Sequence, residues 1–376
     1  MTETTPPPLP AEPISFTCPT CGANTAYAPG TTTMKCPSCG AVQQIDTEDH
    51  TIVEHSYDDW ARLAPKPVAT IGKVTLRCQG CGATTETDDI AGTCQFCNGV
   101  LVALQNPDGL IAPEAVVPFG LDKSTARDAF AKWVKSRWFA PSALKKVGST
   151  EAMKGTYIPH WTYDAQTDTQ YTGQRGEHYY TTETYTVSDG KGGTRTETRQ
   201  VQHTAWYPAA GEVARFFDDV LVPGSNVLPH DKLEKMGPWT LESAQAYQPQ
   251  YVAGYSALRY DVDPDAGLTE ARGQMEKTIR QDCRNDIGGD EQRVDSMNVT
   301  YSALMFKLVL LPIWIASYLY GGKTFQVLVN ANTGEVIGER PYSKLKIFLA
   351  VLAALVLIAA IVVIVIAAKS GHSGSS

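Results

Sequence analysis

The spacing of hydrophobic positions changes along this chain, and each spacing predicts a different element. From Leu121 to Ala140, residues Ala126, Phe130, Trp133, Val134 and Trp138 recur at three- and four-residue steps. That is the face of a helix, which Pro141 stops. A second helix is predicted from Thr269 to about Asp286, opening on Thr-x-x-Arg and closing at Gly288-Gly289. Elsewhere the period falls to two. Tyr179–Val187 and Thr194–His203 alternate around Ser-Asp-Gly-Lys-Gly-Gly, the pattern of a protruding hairpin. Phe306–Leu311, Ile313–Tyr320, Phe325–Asn330 and Glu335–Glu339 are punctuated by GGK and NANTG, as in a meander. KGTYIPHWTYDAQ and KLVLLPIWIASYL share K-x-x-x-[IL]-P-x-W, which makes Trp161 and Trp314 matching core anchors of two related β units.

Near the end the polar positions vanish. Ile347 to Ala368 is a run of 22 residues without a charge or strong polar group. At about 1.5 Å per residue it matches a hydrocarbon core of about 30 Å, so a transmembrane helix is expected over 347–368. Arg340, Lys344 and Lys346 precede the run and only Lys369 follows it. The positive-inside rule then puts the N-terminal bulk in the cytoplasm and residues 369–376 outside, with those three cations at the membrane surface. Leu308–Tyr320 is also apolar, but it is short and contains Pro312, so buried strands are expected there.

Cysteine spacing supplies the strongest chemical motif. Eight of the nine cysteines form Cys-x-x-Cys pairs: Cys18, Cys21, Cys36 and Cys39, then Cys78, Cys81, Cys94 and Cys97. Each set is two knuckles separated by a hairpin-length gap, the arrangement of a four-cysteine zinc ribbon. Gly22, Gly40 and Gly82 follow knuckle cysteines, where the turn calls for positive φ. Four thiolates close the coordination sphere, so both zinc sites are expected to be structural. The pairs lack the βαβ context of a redox motif and the C-x-x-C-x-G-x-G repeat of a chaperone zinc domain. Cys283 has no partner motif and reads as a buried thiol.

Charge narrows the partners. The net charge is -8, and between Ile14 and Ile45 the only charged side chain is Lys35. Phosphate contacts need cations to release counterions, so nucleic acid is a disfavoured partner. The alternative, a nucleic-acid-binding ribbon protein linked to replication or transcription, would need a basic face built from Lys123, Lys132, Lys135, Arg137, Lys145 and Lys146. Residues 46–73 are acidic and read as a linker, with His50 and His55 as solvated loop histidines. A catalytic site is not apparent. GGKT at Gly321–Thr324 lacks the first glycine of a phosphate loop and its following helix. Asp218-Asp219 and Asp261/Asp263/Asp265 read as loop solvation, and His160, His178, His203 and His230 are scattered. The chain is therefore expected not to be an enzyme, with convergent titratable groups in the β body as the third alternative.

The combined features resemble a bacterial family of membrane-anchored transcription-factor-IIB-type zinc-ribbon proteins, sometimes labelled primosomal-helicase-like. The carrying residues are the CPTCG and CPSCG knuckles, YIPHW, WYPAAGEVARFFDDVLVPGS from Trp206, LLPIWIASYLYGGKTFQVLVNANTGEVIGERPYSKLK, and the terminal span. The resemblance implies association with flotillin-type (SPFH) and phage-shock-type membrane-stress proteins, as a membrane recruiter. It carries no helicase activity, since a motor is lacking. The expected architecture is α+β: a Pro-rich arm over 1–13, ribbons over 14–45 and 74–104, a strand-rich body over 113–342 with a weak internal repeat, and one C-terminal transmembrane helix. Homo-oligomerisation is left open.

Overall fold

The computed structural model describes residues 16–46, 51–62, 74–77, 84–87, 89–93, 100–102, 111–136, 153–188, 193–320, 323–338 and 344–372. The chain is an α+β protein. Its first strands, β1 (Ala26–Tyr27), β2 (Thr33–Lys35) and β3 (Val42–Gln44), form a small antiparallel sheet. Then follow β4 (His55–Ser56), α1 (Tyr57–Arg62), β5 (Val74–Arg77), β6 (Thr84–Thr87), β7 (Asp89–Thr93), β8 (Val100–Val102), β9 (Ala115–Val116) and α2 (Lys123–Lys135). The body continues with β10 (Lys154–Ser188), β11 (Thr194–Pro223), α3 (His230–Lys235), β12 (Gln245–Ala246), α4 (Pro249–Val252), β13 (Ser256–Leu258) and α5 (Pro264–Ile287). It closes with β14 (Glu291–Tyr320), β15 (Lys323–Asn330), β16 (Val336–Gly338) and α6 (Lys344–His372).

Three strands dominate. β10, β11 and β14 are 35, 30 and 30 residues long, so at about 3.3 Å per residue each runs on the order of 100 Å. β14 lies antiparallel along one edge of β10; on the other edge β13 pairs parallel at the base and β11 antiparallel from His160 onward. The outer edge of β14 is taken in turn by β15, β9 and β4. The hairpin read at Tyr179–Val187 and Thr194–His203 is thus only the far end of two much longer strands. Likewise Phe306–Leu311 and Ile313–Tyr320 are one strand, not two.

Pro312 does not break that strand, because its carbonyl accepts the Ala331 N–H at the point where β15 has ended, and no ladder donor is needed there. Pro159 does the same for β10, accepting the Gly224 N–H just past the end of β11. The sequence repeat is therefore a structural one. Ile158 lies opposite Leu311, each the residue before its proline, so the two copies face each other about a local two-fold. Trp161 and Trp314 are both buried, and each indole N–H donates to a carbonyl: Val262 at 2.8 Å and Leu121 at 3.0 Å.

Around this axis both sheet faces are covered. One carries Tyr157, Leu310 and Trp314 with Phe119 and Tyr251, continuing into Trp161, Tyr163, Phe306 and Leu308 under α5. The other holds Ile158 and Ile313 against Leu233 and Met236. Both predicted helices shift at their ends. α2 starts after Asp122, whose carboxylate accepts the Thr125 N–H, and ends at Lys135; residues 137–140 lie outside the described residues. α5 starts five residues earlier than predicted, because Asp263 caps it through the Ala266 N–H and Pro264 occupies its first turn.

Residues 51–62, within the stretch read as linker, pack on the body. Trp60 is buried against Phe306, and His55 sits in β4, paired to β14, with its ring nitrogen 2.8 Å from Glu114. The alternation of β4 with one aromatic anchor in a short helix was too brief to register against six acidic neighbours.

Candidate metal centre

The N-terminal sheet exists to hold two knuckles. Cys18–Gly22 and Cys36–Gly40 are superimposable in their bonds: Gly22 N–H to Cys18 O at 2.8 Å and Gly40 N–H to Cys36 O at 2.9 Å. Each turn closes with a cysteine N–H, from Cys18 to Ala23 O and from Cys36 to Ala41 O. Gly22 and Gly40 have φ of +73° and +76°, in the left-handed region where a Cβ is unfavourable. Backbone N–H groups of Thr20 and Cys21 point at the Cys18 sulfur, and those of Ser38 and Cys39 at Cys36.

These turns bring four thiols together. The Sγ atoms of Cys18, Cys21, Cys36 and Cys39 all lie within 4.8 Å of one another, with Cys18–Cys39 and Cys21–Cys36 at 3.6 Å. A tetrahedral ion with metal–sulfur bonds of about 2.3 Å requires sulfurs about 3.8 Å apart, so the set fits a four-thiolate site. The electrostatics agree. Burial raises the Cys18 thiol, but the Thr20 and Cys21 N–H groups and the neighbouring thiols outweigh it and bring it to about 6. Cys36 is lowered chiefly by the Cys39 N–H. At Cys39 the Ala41 N–H lowers the thiol, but Cys21 and Cys18 together push it to about 12. Successive thiolates repel one another, and a cation between them removes that opposition.

The site is not a detached module. Phe16, Tyr27, Met34 and Ile45 belong to the same core as Phe119, Tyr157 and Trp314. Tyr27 packs on Tyr251 with ring centroids 5.5 Å apart, and its N–H donates to Ala253 O at 3.0 Å. Gln248 reaches the Asp46 carbonyl at 2.5 Å. One side of the ribbon is thus seated on the body, while Cys21, Cys39 and Val42 are exposed.

The second predicted set, Cys78, Cys81, Cys94 and Cys97, lies outside the described residues. Its described flanks are the antiparallel pair β5–β6, and β7, which joins the main sheet through β13. At the C-terminal end, α6 has an 18-residue window, Lys346–Val363, with mean hydropathy 3.0 and none of it buried. It is long and apolar enough to cross a membrane. Lys344 and Lys346 lie in its first turn; Arg340 lies outside the described residues.

One cluster escaped the sequence reading. Lys307 is buried, and its ammonium sits 2.7 Å from Glu54 and 2.6 Å from Asp219. Asp164 accepts the Asp219 N–H at 2.7 Å, where Asp219 holds a φ of +52°. Burial raises Asp164 to about 7, with Glu54 adding to it, while Glu54 is lowered, its contact with Lys307 outweighing burial. Every charged group here is taken by another, so the cluster pins the 51–62 segment to the sheet. The signal available was Lys307 itself, the lysine of the repeated motif. The four histidines do not converge: His160 is buried and lowered by desolvation to about 4, His178 meets Glu291, His203 meets Thr181, and His230 meets Glu270. Of GGKT, Gly321 and Gly322 lie outside the described residues, while Lys323, paired to Tyr320, and Thr324 open β15 where a phosphate loop would open a helix. Cys283 is buried on α5 and raised by desolvation, an inert thiol.

Fold and site together define an α+β protein with a compact four-cysteine group and one helix apolar enough to cross a membrane. The chain is similar to the uncharacterized protein YdjG of Bacillus subtilis (strain 168), 26% identical over 341 residues that cover 89% of this chain and 92% of that one. No family model and no solved structure matches it.

Proposed function

We propose that the chain is a non-enzymatic, membrane-anchored zinc-ribbon scaffold that recruits cytoplasmic proteins to the inner face of the membrane. The observation that carries this reading is a closed four-thiolate group in the same chain as an uncovered apolar helix. Cys18, Cys21, Cys36 and Cys39 would hold one Zn2+, and Cys78, Cys81, Cys94 and Cys97 a second. Four thiolates leave no open coordination position, so the metal supplies folding free energy and not a reactive water. α6 would span the bilayer with Arg340, Lys344 and Lys346 at anionic headgroups, each favoured by about 1 kcal/mol, and the short tail outside. Tethering raises a partner's local concentration without a catalytic step. The resemblance described above points to SPFH/flotillin-like or phage-shock-like proteins as that partner.

The test is a truncation after Tyr342. It should release both the chain and its partner from the membrane into the soluble fraction. A partner that stays membrane-bound without this chain's helix contradicts recruitment.

A further inference from the structure

Beyond Gly176 the three-stranded sheet loses a strand. β14 begins at Glu291 opposite Gly176, and Asp290 closes its end: its N–H donates to Gly176 O at 2.9 Å and its carboxylate accepts the His178 N–H at 2.7 Å. Because backbone groups alternate sides along a strand, these two bonds fix the direction of those that follow. Tyr180, Thr182, Thr184 and Thr186 aim N–H and C=O at the edge that β14 has left, while the odd-numbered residues pair inward with β11. No backbone partner meets that row among the described residues.

The open row differs from the other long edges. Tyr179 to Val187, YYTTETYTV, is β-branched and aromatic, with Glu183 as its one charge and neither proline nor glycine. β11, whose outer edge is the alternative, carries Arg195, Glu197 and Arg199 along the arm, and Pro208 further down on its outward row. The outer edge of β14 carries Glu291, Arg293 and Asp295 at one end and a bulge at Ala303, φ +49°, at the other. Charge, proline and bulges are the usual guards of an edge strand. The β10 arm lacks them, and it is also the part of the sheet with the least support: two strands, exposed on both faces, with Tyr179, Tyr180 and Tyr185 in solvent. An isolated two-stranded ribbon is marginal, and further strands stabilise it.

We propose that this edge pairs antiparallel with the same edge of a second copy of the chain, joining two arms into a four-stranded sheet. The strand is complementary to itself. A two-fold axis through Thr182 sets Tyr179 opposite Tyr185, Tyr180 opposite Thr184, and Thr181 opposite Glu183, with about eight new inter-strand hydrogen bonds. A register centred on Glu183 would oppose like charges and is excluded. The inference stands on the arm alone and survives failure of the recruiting role.

The experiment uses the full-length chain in mild detergent, with mass measured by light scattering. The unaltered chain should have the mass of two protomers. Thr182→Lys with Thr184→Lys should halve it, while Thr196→Lys with Thr198→Lys, on the β11 edge of the same arm, should leave it unchanged. In a second arm, Thr182→Cys should give covalent dimers on mild oxidation and Thr196→Cys should not. A monomeric unaltered chain, equal dissociation by both lysine pairs, or the arm edge occupied by a different protein would overturn the proposal.

Discussion

The two ends of the β10–β11–β14 sheet are built from the same strands under different rules. At the base, from Tyr157 to Ala165, every residue of β10 is buried, because α5 and the aromatic core cover one face and α3 with the Trp239–Ala244 segment the other. By Asp168–Tyr171 the burial alternates, and past Glu177 it disappears. Strand geometry continues through all three zones, so β propensity and cross-strand pairing alone extend a ribbon that packing no longer supports. The base holds the fold; the arm is free to do something else.

Trp161 should separate the two ends most sharply. Trp161→Ala removes a fully buried ring and the Val262 hydrogen bond, and is expected to cost about 3–5 kcal/mol, whereas Thr198→Ala, exposed on the arm, should fall within about 0.5 kcal/mol. Denaturant midpoints of the full-length chain in detergent would show it, and equal effects would dissolve the distinction. Lys307→Met comes next, since it leaves Glu54 and Asp219, both part-exposed, without their shared cation, at a cost of about 1–3 kcal/mol. Lys307→Met combined with Glu54→Gln and Asp219→Asn should recover most of that loss, while protease sensitivity of residues 51–62 reports the released segment.

Chelation tests the boundary at the ribbon. Removing the metal should unfold the knuckles and expose Tyr27 while the base keeps its strand signal by circular dichroism. Elemental analysis should give two zinc ions per chain, and one after Cys18→Ser with Cys36→Ser. The smallest effect is titrational. Asp164, raised to about 7 from 3.8, keeps in the folded chain a proton that the unfolded chain releases, so its contribution to stability falls as pH rises between about 4 and 7. Asp164→Asn should remove that part of the slope, while the opposite contribution of Glu54 rises only at lower pH, up to its ordinary value of 4.5.

Several of these features were legible in the residues. The knuckles were, because Cys-x-x-Cys-Gly states both ligands and turn. So was the apolar helix, since 22 residues without a charge or strong polar group leave it no polar face. The proline–tryptophan repeat announced two units, though not that they face each other across one sheet. The length of β10 was hidden by its own burial: with both faces covered the alternation vanishes, and YIPHWTYDA reads as a mere core segment. The Lys307 cluster was invisible because Glu54, Asp164 and Asp219 come from three distant parts of the chain. The seating of the ribbon on the body depended on Tyr27 and Tyr251, more than two hundred residues apart. Asp263 illustrates the opposite failure: a capping residue stood in plain view, and its acidic neighbours disguised it as loop.

The most direct test of the scaffold is affinity purification of the tagged full-length chain from membranes in mild detergent, beside its Cys18→Ser, Cys36→Ser variant. The account predicts one membrane-stress-type partner with the intact ribbon and its loss with the variant, the chain itself remaining in the membrane. Recovery of the same partner from both, or of replication or transcription proteins with nucleic acid, would contradict it.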